Sequence, residues 1–351
     1  MLDLPRLWSE LPDVSEQRPK PTSDVGNRTT DGDPALTLHR GKATWGERLV
    51  PLDEFRRATA SHGQRLAQEE RLRATDRYLQ RHEDPTPVEG PFSKVAVFGG
   101  VYSNLQGLEA LVAEASDRGI EQLYCLGDLG GFGPHPERIW QAVKEASIAC
   151  VQGNYEESLA SGRDDCNCGY TDPRDNHFAE LSYRYTAHNC SPEFKTWMGR
   201  LPVRRRIRVG ARKLLLVHGS PREVNEFLFD STTPAAFLEV ILDQENCDGF
   251  LCTHTGLPWH RRLPSGRDVV NVGAVGRPAN DGDPRVRYCV LEDRGDQLGV
   301  EILKLEFDYE SLAEEMRAES LPEEFVETIL SGWWTTCLEI LPAKERAASR
   351  L

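Results

Sequence analysis

From residue 94 onward, short apolar runs alternate with segments whose apolar positions recur every three or four residues. Residues 94–99 (KVAVFG) predict a strand bounded by glycine. In residues 104–118, Leu105, Leu108, Leu111, Val112 and Ala115 fall at helical spacing, and Gly119 ends the helix. Residues 121–126 predict a second strand, giving a βαβ unit. A helix over 136–146 and a strand over 148–152 extend it into a parallel half-sheet whose loops share one edge. A loop-rich and helical stretch from 156 to about 198 precedes two β runs, 204–209 and 212–217, joined as a hairpin at Gly210-Ala211. Beyond them the pattern predicts a helix over 233–244, strands over 249–253, 268–272, 285–292 and 299–305, and helices near 309–318 and 322–332. No internal repeat is present, and the class is α/β.

The flanks are patterned differently. Residues 1 to about 50, including PKPTSDVGNRTTDGDP, show no periodicity and predict an extended, partly disordered arm. Residues 52–82 are rich in helix formers, and Phe55, Leu66, Leu72 and Leu79 give a thin apolar stripe, so a long surface helix is expected. Residues 83–92, with three prolines and a glycine, predict a linker. The resulting division is an N-terminal arm, helix and linker over 1–90, a main domain over 91–332, and a C-terminal extension over 333–351. In that extension the adjacent Trp333 and Trp334 could cap the pocket, bury against the domain or meet a partner, and burial is the preferred expectation.

Composition narrows the function. The 351 residues are 39% hydrophobic and 28% charged, with a net charge of -14. That balance argues against a general nucleic-acid or anionic-membrane surface, so a phosphate-bearing ligand would need local positive charge or a metal. No run approaches the roughly 20 apolar residues of a membrane helix, and the N-terminus lacks a basic segment followed by an apolar one. A cytoplasmic location is expected. The nine cysteines are an odd number, and Cys125, Cys150, Cys252 and Cys289 sit in or beside strand-like runs as reduced core residues. Cys166 and Cys168, followed by His177, His188 and Cys190, raise a small zinc site, but their spacing fits no zinc module. An ordered surface loop with free thiols is the preferred reading.

Candidate chemistry gathers at strand ends. LYCLGDLGGFG (123–133) delivers Asp128 to the carboxyl edge of a buried strand, where open α/β sheets place their ligands. Asn154 follows the strand at 148–152, His218 follows the one at 212–217, and His254 follows the one at 249–253. A carboxylate, an amide oxygen and two imidazoles suit a divalent transition metal.

These stretches resemble the calcineurin-like metallophosphoesterase superfamily over roughly residues 94–332. The resemblance rests on GDLGGFGP (127–134), GNYE (153–156), VHGSP (217–221), THTGLP (253–258) and VVNVGAVGRP (269–278). It implies a two-sheet β-sandwich flanked by helices and a metal-dependent phosphoesterase. The family holds two metals, with ligands in a first-strand D-x-H, a GD aspartate, a GNH asparagine, a later histidine and a final G-H-x-H. Here Gly100 and Tyr102 replace the D-x-H residues, and Gly256 replaces the second histidine of the last motif. All three absences belong to one metal, and random decay rarely empties one site while sparing its neighbour. The resemblance therefore implies a single ion (Fe, Mn or Zn, divalent or trivalent) on Asp128, Asn154, His218 and His254, with Asp128 a terminal ligand.

Tyr155 stands where the family has a proton-donating histidine. With an ordinary pKa of about 10, it donates a proton less readily than imidazole near pH 7, but it is the residue expected to assist the leaving group, with Tyr102 the second catalytic candidate. Tyr102 and Tyr155 are both expected beside the vacated position, as pocket-filling phenols in preference to a tyrosinate ligand of ferric iron. Arg222 and Arg277, and less directly Arg261, are candidate phosphate contacts because guanidinium matches phosphate oxygens. The expected activity is hydrolysis of a small phosphorylated molecule. Two alternatives stay open: a catalytically degenerate binding protein of the same fold, and a mononuclear non-haem iron enzyme using two histidines and a carboxylate.

Overall fold

The computed structural model describes residues 86–348 and, ahead of them, three short strands between residues 37 and 51. The chain divides into two compact units, residues 1–82 and 83–351. In the first, β1 (Thr37–His39), β2 (Lys42–Trp45) and β3 (Arg48–Pro51) form an antiparallel meander, with Leu38 opposite Ala43 and Ala43 opposite Val50. The expected arm is therefore a small sheet from residue 37 onward. Its strands are too short for an alternating pattern to show in the sequence. The long helix expected over 52–82 lies outside the described residues.

In the second unit, β4 (Val88–Phe92) and β5 (Lys94–Phe98) are followed by α1 (Leu105–Asp117), β6 (Gln122–Cys125), α2 (Pro136–Glu145) and β7 (Ala149–Cys150). Next come α3 (Asn154–Ser161), α4 (Pro173–Asn189), α5 (Pro192–Met198), β8 (Arg204–Val209), β9 (Arg212–Val217), α6 (Ala235–Glu245) and β10 (Gly249–Cys252). The chain continues through β11 (Trp259–Arg262), β12 (Asp268–Asn271), β13 (Val286–Arg294), β14 (Gln297–Leu305), α7 (Tyr309–Ala318), α8 (Glu323–Ser331) and α9 (Ala343–Ala348).

Two sheets result, ordered β11-β12-β10-β9-β8-β4 and β14-β13-β5-β6-β7. Strand periodicity explains how they meet. Leu214 and Leu216 of β9 join Val95, Val97, Leu251 and Val270 in the core between the sheets, while Leu215 and Val217 face the other way onto Leu238 and Leu242 of α6. Successive side chains point to opposite faces, so a strand buried on both reads as a continuous apolar run. The architecture is the expected α/β two-sheet sandwich flanked by helices.

The expected linker over 83–92 differs. Residues 88–92 are strand β4, paired parallel with β8 at the edge of the six-stranded sheet, with a register break between Glu89 and Phe92 and a cis Gly90-Pro91 bond. An edge position needs no hydrogen bonding on its outer side, which is why a strand carrying proline is accepted there. Strand β11, at the opposite edge, was not anticipated either. Of the two tryptophans expected to bury, Trp334 does, in a cluster with Leu341 and Phe229, whereas Trp333 is half-buried.

Candidate metal centre

The carboxyl ends of β6, β7, β9 and β10 converge, and each is followed by a tight loop. Gly127 lets two of these loops approach: a Cβ there would lie 2.5 Å from the Gly153 nitrogen, and its φ of +92° already favours glycine. Asp128, next in the chain, also adopts a positive φ of 58°. Glu156, fully buried at the third position of α3, draws the loops together by accepting from the backbone N–H groups of Asp128 (2.9 Å), Leu129 (2.8 Å) and Gly153 (2.8 Å). The bond to Gly153 caps the start of α3, whose first residue is Asn154, and the other two tie the Asp128 loop to that helix end.

Four donor atoms then meet. His218 Nε2 lies 3.3 Å from Asp128 Oδ2, 3.0 Å from Asn154 Oδ1 and 3.1 Å from His254 Nδ1. Around an ion bound at about 2.0–2.2 Å, neighbouring ligand atoms sit about 3.0–3.5 Å apart, so these spacings match the edges of a coordination polyhedron. Asp128, His218 and His254 are all buried, and they are the one such grouping of acidic, histidine and cysteine ligands among the described residues. His218 Nδ1 lies 2.6 Å from the Leu126 carbonyl, which assigns its proton to Nδ1 and aims a lone pair from Nε2 at the cluster. Asn154 Nδ2 donates to the Cys166 carbonyl at 2.8 Å, which turns Oδ1 the same way. His254 Nε2 is buried without a hydrogen-bond partner, although the Cys168 and Asn225 carbonyls lie near enough to favour its protonated form. Acceptors pointing at one another in a buried space repel unless a cation or a proton lies between them, so the donor set fits a metal ion.

The electrostatics tie the three titratable groups to one another. Burial alone raises the Asp128 pKa, but His218 and then His254 outweigh it and hold the carboxyl below its usual range. Burial lowers the His218 pKa, yet Asp128 reverses this and leaves it raised. His254 is pushed down to about 3 by burial and by His218, so its ring is neutral and free to ligate.

Gly100 and Gly256, two positions at which the resemblance expects metal-binding side chains, are filled or walled by aromatic rings. A Cβ on Gly100 would lie 2.6 Å from Tyr102 Cζ and 2.8 Å from its hydroxyl oxygen, so the Tyr102 ring occupies the space a side chain at 100 would enter. A Cβ on Gly256 would meet the Trp334 ring at 3.4 Å. Tyr102 is buried edge-on to Phe132, and burial, followed by Asp128, raises its pKa well above 10. Tyr155 is also buried. Its hydroxyl is 2.8 Å from Ser182 Oγ, and burial raises its pKa strongly.

The arginines separate. Arg277 is buried between Trp334 (3.9 Å from its guanidinium carbon to the ring centroid) and Phe132 (5.0 Å), beside Tyr102 and His254. Arg222 pairs with Glu226 at 3.2 Å and lies over the Phe237 ring, while Arg261 pairs with Asp230.

Sequence reasoning missed Glu156 as the organiser of the two loops, although it had quoted the GNYE that contains it. Tyr170, which no motif singled out, and Trp334 wall the cavity beside His254. Cys166 and Cys168 carry neither zinc nor free thiols, because they are joined in a disulfide. Cys125, Cys150, Cys252 and Cys289 are free and buried, as expected of core residues.

Known proteins supply the context. The chain is 24% identical over 249 residues to the uncharacterized protein MJ0912 of Methanocaldococcus jannaschii, covering 68% of this chain and 98% of that one. Its fold is similar to the crystal structure of hypothetical protein PH1004 from Pyrococcus horikoshii, with a TM-score of 0.58 and 22% identity over 69% of this chain and 99% of that one. It is also similar to a metallophosphoesterase from Sphaerobacter thermophilus, with a TM-score of 0.53 and 25% identity over 68% and 98% of the two chains. Residues 94–295 match the calcineurin-like phosphoesterase superfamily domain, and with the site standing on the strand ends described above, the chain belongs to that superfamily.

Proposed function

We propose that the protein is a metal-dependent phosphoesterase that hydrolyses a small phosphoester with a single ion held by Asp128, Asn154, His218 and His254. The observation that carries the reading is the convergence of Asp128 Oδ2, Asn154 Oδ1 and His254 Nδ1 within 3.0–3.3 Å of His218 Nε2. A bound ion supplies a water of lowered pKa and polarises a phosphoryl oxygen, contributions of several kcal/mol.

The chain's own residues supply the rest. Leu126 and Cys166, through their carbonyls, orient His218 and Asn154. Arg277 presents a fixed positive charge beside His254, which offsets part of the phosphoryl charge that a second metal neutralises elsewhere in the superfamily. Tyr102, whose ring lines the same cavity, is better placed than Tyr155 to hydrogen-bond a leaving oxygen, because the Tyr155 hydroxyl is already engaged by Ser182. Burial raises the Tyr102 pKa well above 10, so its phenol keeps its proton at neutral pH and its hydrogen-bond donation does not change between about pH 6 and 9. Arg222, tied to Glu226, is left out of the phosphate contact.

The test is turnover of p-nitrophenyl phosphate by protein stripped of metal and reloaded with Mn(II), Zn(II) or Fe(II). Asp128→Asn and His254→Ala should each lower kcat/KM by about 100-fold or more, the loss of roughly 3 kcal/mol of transition-state stabilisation. Turnover that survives metal removal, or that is unchanged in Asp128→Asn, rules the proposal out.

A further inference from the structure

We infer that the C-terminal segment completes the active site, with Trp334 as the residue that positions Arg277 and decides what can reach the ion. This inference rests on the metal-centre reading above. The segment lies beyond residues 94–295 that carry the superfamily match, so nothing in that match assigns it a role.

Three observations combine. First, the Trp334 indole covers Gly256, where a Cβ would touch Cζ2 and Cη2 at 3.4 and 3.5 Å. An aromatic ring from a remote part of the chain thus stands at the position where a second metal-binding histidine is absent. Second, the same ring stacks on the Arg277 guanidinium at 3.9 Å, and the next turn of chain takes an Arg277 Nη2 hydrogen bond on the Thr336 carbonyl at 2.7 Å. Both Arg277 hydrogen bonds among the described residues go through Nη2 to Thr336. That leaves Nε and Nη1, on a side chain that is 5% exposed, available to a ligand. Third, Trp334, Cys337 and Ile340 wall a cavity of about 20 Å³ against Tyr102, His254 and Arg277. One water takes about 10–15 Å³ on the same measure, so the cavity is tight and the bulk of Trp334 limits what fits beside His254.

The wall is fastened at definable points. Trp334 donates from Nε1 to the Pro278 carbonyl (2.7 Å) and from its backbone to Asn280 Oδ1 (2.8 Å). Arg174 and Asp175 of α4 hold the Thr335 carbonyl (2.8 Å) and the Glu339 N–H (3.1 Å). Trp334 therefore contributes twice: its face holds the guanidinium in the cavity that His254 also lines, and its bulk restricts the size of ester that fits there. It is a positioning and specificity-determining residue, distinct from the ligands themselves.

The experiment uses the full-length chain loaded with Mn(II), comparing wild type, Trp334→Phe and Trp334→Ala. Two quantities are read: the rate of Mn(II) loss into excess EDTA, and the KM and kcat for p-nitrophenyl phosphate against bis(p-nitrophenyl) phosphate. Trp334→Ala should release the ion about tenfold faster and raise KM for the small monoester about tenfold with a smaller change in kcat, the scale of one desolvated cation–π contact, while its preference shifts toward the bulkier diester. Trp334→Phe, which keeps a π face, should stay within about threefold of wild type in every quantity. If Trp334→Ala does not fold, Trp334→Leu, apolar but lacking a π face, is read in the same way. Wild-type behaviour in the alanine or leucine variant overturns the inference, as does a phenylalanine variant as impaired as the alanine one. A wild-type protein that retains no ion fails the metal-centre reading itself, and the inference with it.

Discussion

Replacing Glu156 with glutamine tests how the metal ligands are held, because the change is nearly isosteric and touches no ligand atom. In the folded protein Glu156 Oε2 accepts from Asp128 and Gly153, while Oε1 accepts from Leu129. Burial, followed by the charge of Asp128, raises its pKa, so only these three N–H groups hold its charge in place. A glutamine can keep its oxygen toward the first pair, but its NH2 group then faces the Leu129 N–H. That leaves one backbone donor and one amide donor without acceptors in a dry interior. Each such group costs about 1–3 kcal/mol, so Glu156→Gln should lose about 2–4 kcal/mol of stability in urea unfolding of metal-free protein. The loops bearing Asp128 and Asn154 should loosen with it, and Mn(II) affinity should fall about 10- to 100-fold, the usual effect of losing a residue that orients metal ligands. A variant within about 0.5 kcal/mol of wild type, with unchanged affinity, would refute the role assigned to Glu156.

Other expectations are more local. Burial raises the Asp268 pKa, but His260 (2.8 Å) and Arg262 (3.0 Å) outweigh it and leave the value lowered. Because the folded value lies below the unfolded one of about 3.9, this stabilisation is present above about pH 4 and disappears as the pH falls through the folded value. Asp268→Asn should therefore cost about 1–3 kcal/mol at pH 7 and progressively less at acid pH, and a pH-independent difference in urea midpoints would contradict this. Gly100→Asp, placed against the Tyr102 ring at a φ of +51°, should destabilise by about 2 kcal/mol or more. Adding Tyr102→Ala should recover part of that loss, whereas strictly additive losses would show that the ring does not fill the space. Leu216→Ala, between the sheets, should cost about 2–5 kcal/mol by thermal or chemical unfolding.

What could be read from the sequence follows from how local each signal was. Strands β8 and β9 lie where the apolar runs placed them, because burial on both faces of β9 leaves little ambiguity in LLLV and Gly210 marks the turn. Helix α7 likewise agrees, closed at its start by Asp308 accepting from Ser311. Strand β4 was missed because Gly90 and Pro91 signal a loop, and only the parallel pairing with β8 overrides them. Asp128, Asn154, His218 and His254 were legible as a group because each lies shortly after a strand. The pairings around it were not: Tyr102 over Gly100, and Trp334 over Gly256 and Arg277, join residues through packing that no spacing along the chain reveals. Cys166 and Cys168 read as a surface loop, whereas their segment lies against Asn154 through the Cys166 carbonyl.

The central claim is a single ion on Asp128, Asn154, His218 and His254. Its most direct test is elemental analysis of the full-length protein after metal stripping, titration with Mn(II) or Zn(II) and removal of unbound ion, beside His218→Ala treated identically. The account predicts close to one tightly held ion per chain in the wild type and loss of that ion in His218→Ala. Two ions per chain that both depend on His218, or an ion retained undiminished by His218→Ala, would contradict it.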